Sequence, residues 1–252
     1  MSPCRLLVFL LLGICTALGL PAESKLTALE YQHLEIEQDG QNAKLDLCLF
    51  DPSAIKLRVM DNINHLGLPR TQKLAYAMSK GTYVAGVNGG FYAVSAYTPY
   101  GQQISNGVRT EAFIPDNWMK GVIQVKDDQL SLIHRDDFED SESITQLLQS
   151  GPWLIYDGKI PGEGLGKDRY HTRSFIAYGR DGRWLIGICD TASLLGLAEI
   201  LQSDAVREHI DIERALNLDG GPSSGFWMRK PGGGIVNIPE ISTVRNYIGL
   251  YR

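Results

Sequence analysis

An α+β fold is expected for this chain: a single domain with a mixed, largely antiparallel sheet and two or three packed helices. Three observations predict it. Short apolar runs of strand character outnumber helical patterns along the chain. Several of those runs are joined by tight-turn residues, such as Asp127-Asp128, Asp157-Gly158 and Arg180-Asp181-Gly182-Arg183, which signals hairpins and not crossovers. Beyond the N-terminus there is no linker long or polar enough to divide the chain. At 252 residues, one domain with an ample core is expected.

The elements are expected in this order. Arg5 precedes an apolar run from Leu6 to Leu20, too short for a comfortable membrane span, which needs about 20 residues. It reads as a secretory signal peptide over residues 1–19, with Ala17-Leu18-Gly19 as the cleavage site; an uncleaved anchor ranks second. Residues 20–80 then form a lead-in, loose over 20–40, and the first strands. Leu45–Phe50 alternates as a strand, and Ile55–Met60 follows after the Asp51-Pro52-Ser53 turn. Thr71–Lys80 has helical spacing. Tyr83–Val87 is an apolar strand that ends abruptly in Asn88-Gly89-Gly90. Val122–Val125 and Gln129–His134 form a hairpin, and Ser141–Gln149 reads as a short helix capped by Ser141 or Ser143. Trp153–Tyr156 turns back at Lys159-Ile160. Glu163–Tyr170 is a loop, and Ser174–Tyr178 pairs with Trp184–Cys189. Leu194–His209 is the longest amphipathic helix pattern. Ala215–Leu218 is a strand running into Asp219-Gly220-Gly221, and Asn246–Tyr251 is the last strand.

Charge narrows the function. Lys plus Arg number 24 against 29 Asp plus Glu, a net charge of −5, with no basic run, which excludes binding of nucleic acid by phosphate neutralisation. Removal of the signal would leave no membrane span and two cysteines, Cys48 and Cys189, which in an oxidising compartment either pair or stay buried as thiols. None of the five histidines stands at metal-ligand spacing, so no cofactor is expected; a divalent cation is not readable from the residues.

Three groups of residues carry chemical promise. Asn88-Gly89-Gly90 and Asp219-Gly220-Gly221 share one design: a polar residue at a strand end, then two glycines that let the backbone turn and approach a ligand closely. Ser223 and Ser224 add hydroxyls. Arg173 opens one strand and Arg245 precedes another, where a guanidinium can grip phosphate or carboxylate by two parallel bonds. His171 lies in a polar stretch two residues before Arg173. Gly221-Pro222-Ser223-Ser224-Gly225 also fits the G-x-S-x-G elbow of serine hydrolases. That reading fails, because no Asp or His follows Ser224 and Phe226-Trp227-Met228 is strand-like where the elbow needs a helix.

The segments NGGFY (88–92), SGPWLIYDGK (150–159), HTRSFIAYG (171–179), GLAEILQ (196–202) and LNLDGGPSSGF (216–226), with TVRNYIGLYR at the end, resemble the phosphodiester glycosidase family in family order. The resemblance covers roughly residues 80–252, so 81–252 is expected to be the catalytic region. It implies an exported hydrolase that breaks the glycosidic C1–O bond of a sugar-1-phosphodiester, such as an N-acetylglucosamine-1-phosphodiester. The partner is then a phosphorylated or phosphodiester-linked carbohydrate. The alternatives are a non-catalytic binder of phosphorylated glycans and a structural envelope protein, which needs no grouping of Asn88, Arg173 and Asp219. Under the enzyme reading Asp219, Arg173 and His171 are catalytic. Asn88, Gly89, Gly90, Gly220, Gly221, Ser223, Ser224 and Arg245 bind substrate. Asp190 and Glu111 are candidates for a second carboxylate. The family commonly reads Asp-Gly-Gly-Gly-Ser-Ser; here Pro222 replaces the third Gly and removes one N–H from the loop.

Overall fold

The structure, a computed structural model, describes residues 28–38, 41–70, 72–162 and 164–252. The leader expected over residues 1–19 lies outside the described residues. In chain order, β1 (Leu29–Gln38), β2 (Gln41–Phe50) and β3 (Lys56–Asp61) are followed by helix α1 (Leu74–Ser79) and β4 (Tyr83–Asn88). Short strands β5 (Tyr92–Ala93), β6 (Thr98–Pro99), β7 (Gln103–Ser105) and β8 (Val108–Thr110) come next. Then come β9 (Gly121–Lys126), β10 (Gln129–His134), β11 (Ile144–Ser150), β12 (Trp153–Ile155), β13 (His171–Gly179) and β14 (Trp184–Ala192). Helices α2 (Leu194–Leu201) and α3 (Asp204–Arg207) precede β15 (Ile212–Asn217), β16 (Phe226–Arg229), β17 (Ile235–Ile238) and β18 (Asn246–Tyr251).

The strands build a six-stranded sheet in the order β1-β2-β14-β13-β15-β12 and two five-stranded sheets, β10-β9-β11-β7-β8 and β17-β16-β4-β18-β3; β5 and β6 pair alone. Every strand pairing among the described residues is antiparallel. The α+β expectation is therefore corrected: the described residues are mostly β, layered like a sandwich, with three short α-helices among them. Hairpins such as β1-β2, β9-β10 and β13-β14 are joined by antiparallel pairings between strands distant in the chain, such as β2 with β14 and β4 with β18, so no parallel crossover helix is required.

Alternation along the strands explains the layering. On β2, Cys48 and Phe50 face a core shared with β3, β4, β16 and β18, while Leu45, Leu47 and Leu49 face a second core under α2 and α3. The six-stranded sheet is buried on both faces, and its central strands read as continuous apolar runs. Helix α1 closes the opposite side, packing Leu74 and Met78 against Trp227 and Tyr247.

Three local expectations change. Residues 29–38 pair over their whole length with β2, so a full strand occupies most of the expected loose lead-in. Ser141–Gln149 is not a helix. Ser141 caps locally, its hydroxyl accepting from Ser143 N–H at 3.2 Å, but Ile144–Ser150 is bonded on both edges, to β9 and β7. Two flanking ladders outcompete a helix this short, which is marginal by itself. The pattern over 194–209 is two helices, broken where Ser203 turns extended (φ −66°, ψ 156°) to cap α3. Their apolar residues still share one face, which is why the period continues across the break.

Candidate functional site

Antiparallel pairing brings three chain segments to one end of the molecule: the end of β4, the start of β13 and the loop after β15. Phe175 stands opposite Asn217, so the residues before Phe175 run beside those after Asn217. Asp219 N–H donates to Gly89 O at 3.1 Å, which seats the loop after β15 on the loop after β4.

Asn88 is fully buried. Its Nδ2 donates to the Asp219 main-chain O at 2.7 Å, and its Oδ1 accepts from Gly225 N–H at 3.2 Å. Both ends of the amide are thus spent on the 219–225 loop. Gly89 lies against Asn246: a Cβ there would stand 1.9 Å from Asn246 Oδ1, so no side chain fits. Gly90 N–H donates to that same oxygen at 2.8 Å, and Asn246 Nδ2 donates to Gln103 Oε1 at 2.7 Å.

Asp219 is partly buried. Gly220 N–H donates to its Oδ1 at 2.8 Å. Burial raises its pKa from the ordinary aspartate value, and hydrogen bonds from Ser223 and Gly220 partly oppose that rise. Gly221 adopts φ +60°, a left-handed conformation that glycine tolerates, and opens a short 3-10 turn over Gly221–Ser223. Pro222 sits inside this first turn, where an N–H has no helical partner to lose. Its carbonyl accepts from Ile241 and Ser242 N–H at 2.9 and 2.8 Å, so the 240–243 segment backs the loop. Ser224 is buried and its hydroxyl donates to Thr172 O at 3.1 Å, tying the loop to β13.

Arg173 reaches the same loop from the other side. Its Nε donates to Ala192 O at 3.0 Å and its Nη2 to Arg169 O at 2.7 Å. Its Nη1 lies 3.7 Å from the point a Gly220 Cβ would occupy. Desolvation lowers its pKa, and among the described residues no carboxylate forms an ion pair with this half-buried guanidinium. Asp219 and Arg173 flank Gly220 without pairing. His171 begins β13 opposite Ala192 and is exposed.

Arg245 is placed differently. Its Nε and Nη2 grip Asp61 at 2.7 and 2.9 Å, and its Nη1 donates to Tyr97 O at 2.7 Å. The whole fork is occupied inside the protein. Of the two further carboxylates, Asp190 is exposed and accepts from Lys44 N–H at 2.8 Å, and Glu111 is exposed with φ 58°. Neither joins the Asp219 loop.

Two residues at the site were not singled out from the sequence. Tyr92 donates to Thr243 O at 3.0 Å, and burial, then the Asp219 charge, raise its pKa. It lay within the quoted NGGFY segment. Glu240 is buried, with Oε1 accepting from Leu74 N–H at 2.7 Å and from the Tyr247 hydroxyl at 2.9 Å. Its Oε2 has no partner and lies 3.0 Å from the point a Gly225 Cβ would occupy. Only the return of the 240–243 segment to the loop reveals it.

Among the described residues, no group of three or more His, Cys, Asp or Glu is arranged to hold a metal, and no helix is long and apolar enough to cross a membrane. Cys48 and Cys189 are free thiols buried in the six-stranded sheet.

The fold is similar to solved structures. The zebrafish N-acetylglucosamine-1-phosphodiester alpha-N-acetylglucosaminidase catalytic domain, auto-inhibited by its pro-peptide, superposes with a TM-score of 0.65 at 16% identity, covering 91% of this chain and 85% of that one. A hypothetical protein from Synechocystis gives 0.59 at 15% identity, covering 87% and 61%. A Burkholderia pseudomallei protein described as exported gives 0.61 at 13% identity, covering 84% and 74%. At these identities the likeness is one of fold. No curated protein matches the sequence. The phosphodiester glycosidase profile matches residues 81–251, two thirds of the chain and every segment that meets at the Asp219 loop, so the chain belongs to the phosphodiester glycosidase family.

Proposed function

We propose that this protein is an exported hydrolase that cleaves the C1–O bond of a sugar-1-phosphodiester, with the sugar over Asp219 and the phosphate toward Arg173. The observation that carries the reading is the pair of opposite charges flanking Gly220 without neutralising each other. A substrate that is electron-poor at C1 and anionic at phosphate matches that polarity.

Cleavage passes through an oxocarbenium-like state. The Asp219 carboxylate stabilises the charge at C1 or activates the incoming water. Its elevated pKa makes it a stronger base than a solvated aspartate. The departing phosphate monoester gains charge as the bond breaks, and the free face of the Arg173 guanidinium receives it. Such a leaving group needs little protonation, so exposed His171 has at most an assisting role. Asn88 has no free hydrogen-bonding atom for a ligand; it holds the Asp219 backbone in place. Gly89, Gly90, Gly220 and Gly221 keep the floor of the site low. Ser223 tunes Asp219, and Ser224 clips the loop to β13. Arg245 supports the wall at Tyr97 and leaves the phosphate to Arg173.

Release of the free sugar from a panel of sugar-1-phosphodiesters, starting with N-acetylglucosamine and assayed with and without chelator, tests the proposal. Tight binding without turnover across the panel would reassign the protein as a phosphoglycan receptor. N-terminal sequencing of the secreted protein tests export; a start near Leu20 is expected, and recovery of Met1 would refute cleavage.

A further inference from the structure

A pocket of about 530 Å³ is walled in part by Trp153 of β12, the strand that pairs with β15, and takes no part in the chemistry above. Trp118, Trp153, Tyr156 and Ile160 give it mostly apolar walls, with Lys120 and Lys159 on its lining. None of the described residues lining it is acidic. Trp118 is 39% exposed, so part of its ring is open to a ligand.

The pocket and the site share structure in three places. Phe91, the residue after Gly90, packs edge-on against Trp118 with ring centroids 4.9 Å apart. Trp153 stands opposite Leu216 in the sheet, and Asn217 N–H donates to Pro152 O at 3.0 Å, so the pocket's back wall is bonded to the strand that presents Asp219. Ile160, Pro161 and Gly164 line the pocket, and a few residues on Arg169 O accepts from Arg173 Nη2 at 2.7 Å.

Resting on the phosphodiester reading, we infer that this pocket receives the group on the far side of the phosphate, and that this group is apolar: a hydrocarbon chain or ring system esterified to the sugar phosphate. The two lysines on the lining suit an anionic diester whose phosphate is held at Arg173, and the rings match an apolar tail. A cavity of roughly 150 Å³ accommodates benzene, so a volume several times larger takes a branched chain or fused rings. A sugar in this place would set its hydroxyls against Trp118, Pro152, Trp153, Ile160 and Pro161, with Asn117 and His134 as polar partners on the lining, and the glucosyl diester tests that alternative.

The test uses one sugar-1-phosphate esterified with methyl, butyl, hexyl or glucosyl groups. Within the alkyl members the acidity of the leaving phosphate is nearly constant. For the wild-type protein kcat/KM is expected to climb with chain length, by up to about fourfold per buried methylene, and Trp118→Ala is expected to flatten that slope. A flat alkyl series in the wild type overturns the inference whatever the variant does. An unchanged slope in Trp118→Ala overturns it too, as does a glucosyl diester that outperforms hexyl. If no diester is cleaved, the function proposal has failed, and hexyl phosphate binding by tryptophan fluorescence judges the pocket separately. Saturable binding weakened at least tenfold by Trp118→Ala supports it, and absence of binding sinks it.

Discussion

The side-chain amide of Asn88 holds the main-chain carbonyl of Asp219 at 2.7 Å, joining two loops 131 residues apart in the chain. Asn88 also accepts from Gly225 N–H, so one buried amide spans the loop that carries the proposed catalytic carboxylate. Asn88→Ala leaves both backbone groups buried without partners and should cost about 1–3 kcal/mol for each group that water does not reach. Asn88→Asp should be worse, because it sets a carboxylate oxygen against the Asp219 carbonyl. Thermal melting of the two variants checks the order; equal melting temperatures for Asn88→Ala and wild type would show that the clamp does not hold the loop.

Asp219→Asn retains size and loses charge. The charge matters chiefly as C1 becomes positive, so kcat should fall by roughly 10²–10⁴-fold with little change in KM. A variant with full kcat would remove Asp219 from the chemistry.

The same residue sets two pH dependences. Its folded-state pKa is raised above the unfolded value by burial. Activity should therefore fade on the acid side at a higher pH than an ordinary aspartate would dictate. For stability the native state binds the proton more tightly, so Asp219 lowers stability as pH rises from the unfolded pKa through the folded one. Above that window Asp219→Asn should melt higher than wild type, and the difference should vanish in acid. Parallel melting curves against pH for both proteins would contradict the assignment.

Arg173→Lys keeps the charge and loses the fork. Its kcat/KM should drop most for phosphodiesters and much less for a glycoside whose leaving group is neutral. Equal damage to both substrates would mark Arg173 as structural or sugar-binding.

Arg245 gives the contrasting outcome. It is buried against Asp61, and truncation strands that carboxylate, so Arg245→Ala should cost roughly 3–5 kcal/mol in urea unfolding. Arg173→Ala, whose guanidinium has no ionic partner among the described residues, should cost far less stability and far more activity. The reverse ranking would exchange the roles of the two arginines.

Much of this was legible in the residues because it is local. The strand at Asn246–Tyr251, the hairpin around Asp127-Asp128 and the strand ending at Asn88 each follow from alternation and turn chemistry within a few positions. Asn88-Gly89-Gly90 and Asp219-Gly220-Gly221 stood out for the same reason, and their segments also carry the family resemblance. The helix expected over Ser141–Gln149 did not form, because its partners β9 and β7 lie elsewhere in the chain and pair with both of its edges.

The amino-acid order by itself determined the antiparallel, hairpin-rich character of the chain and the two glycine loops at strand ends, and it nominated Asp219 and Arg173 as the charged pair of the proposal. Only the tertiary structure decided what each polar group faces. It spent Asn88 on the Asp219 backbone and Arg245 on Asp61, brought Tyr92 and Glu240 to the loop, and left Arg173 without an ionic partner among the described residues. The physical reason is range. Turn and strand preferences act between residues a few positions apart, whereas the worth of a buried amide, carboxylate or guanidinium depends on which partner the folded chain delivers to within about 3 Å.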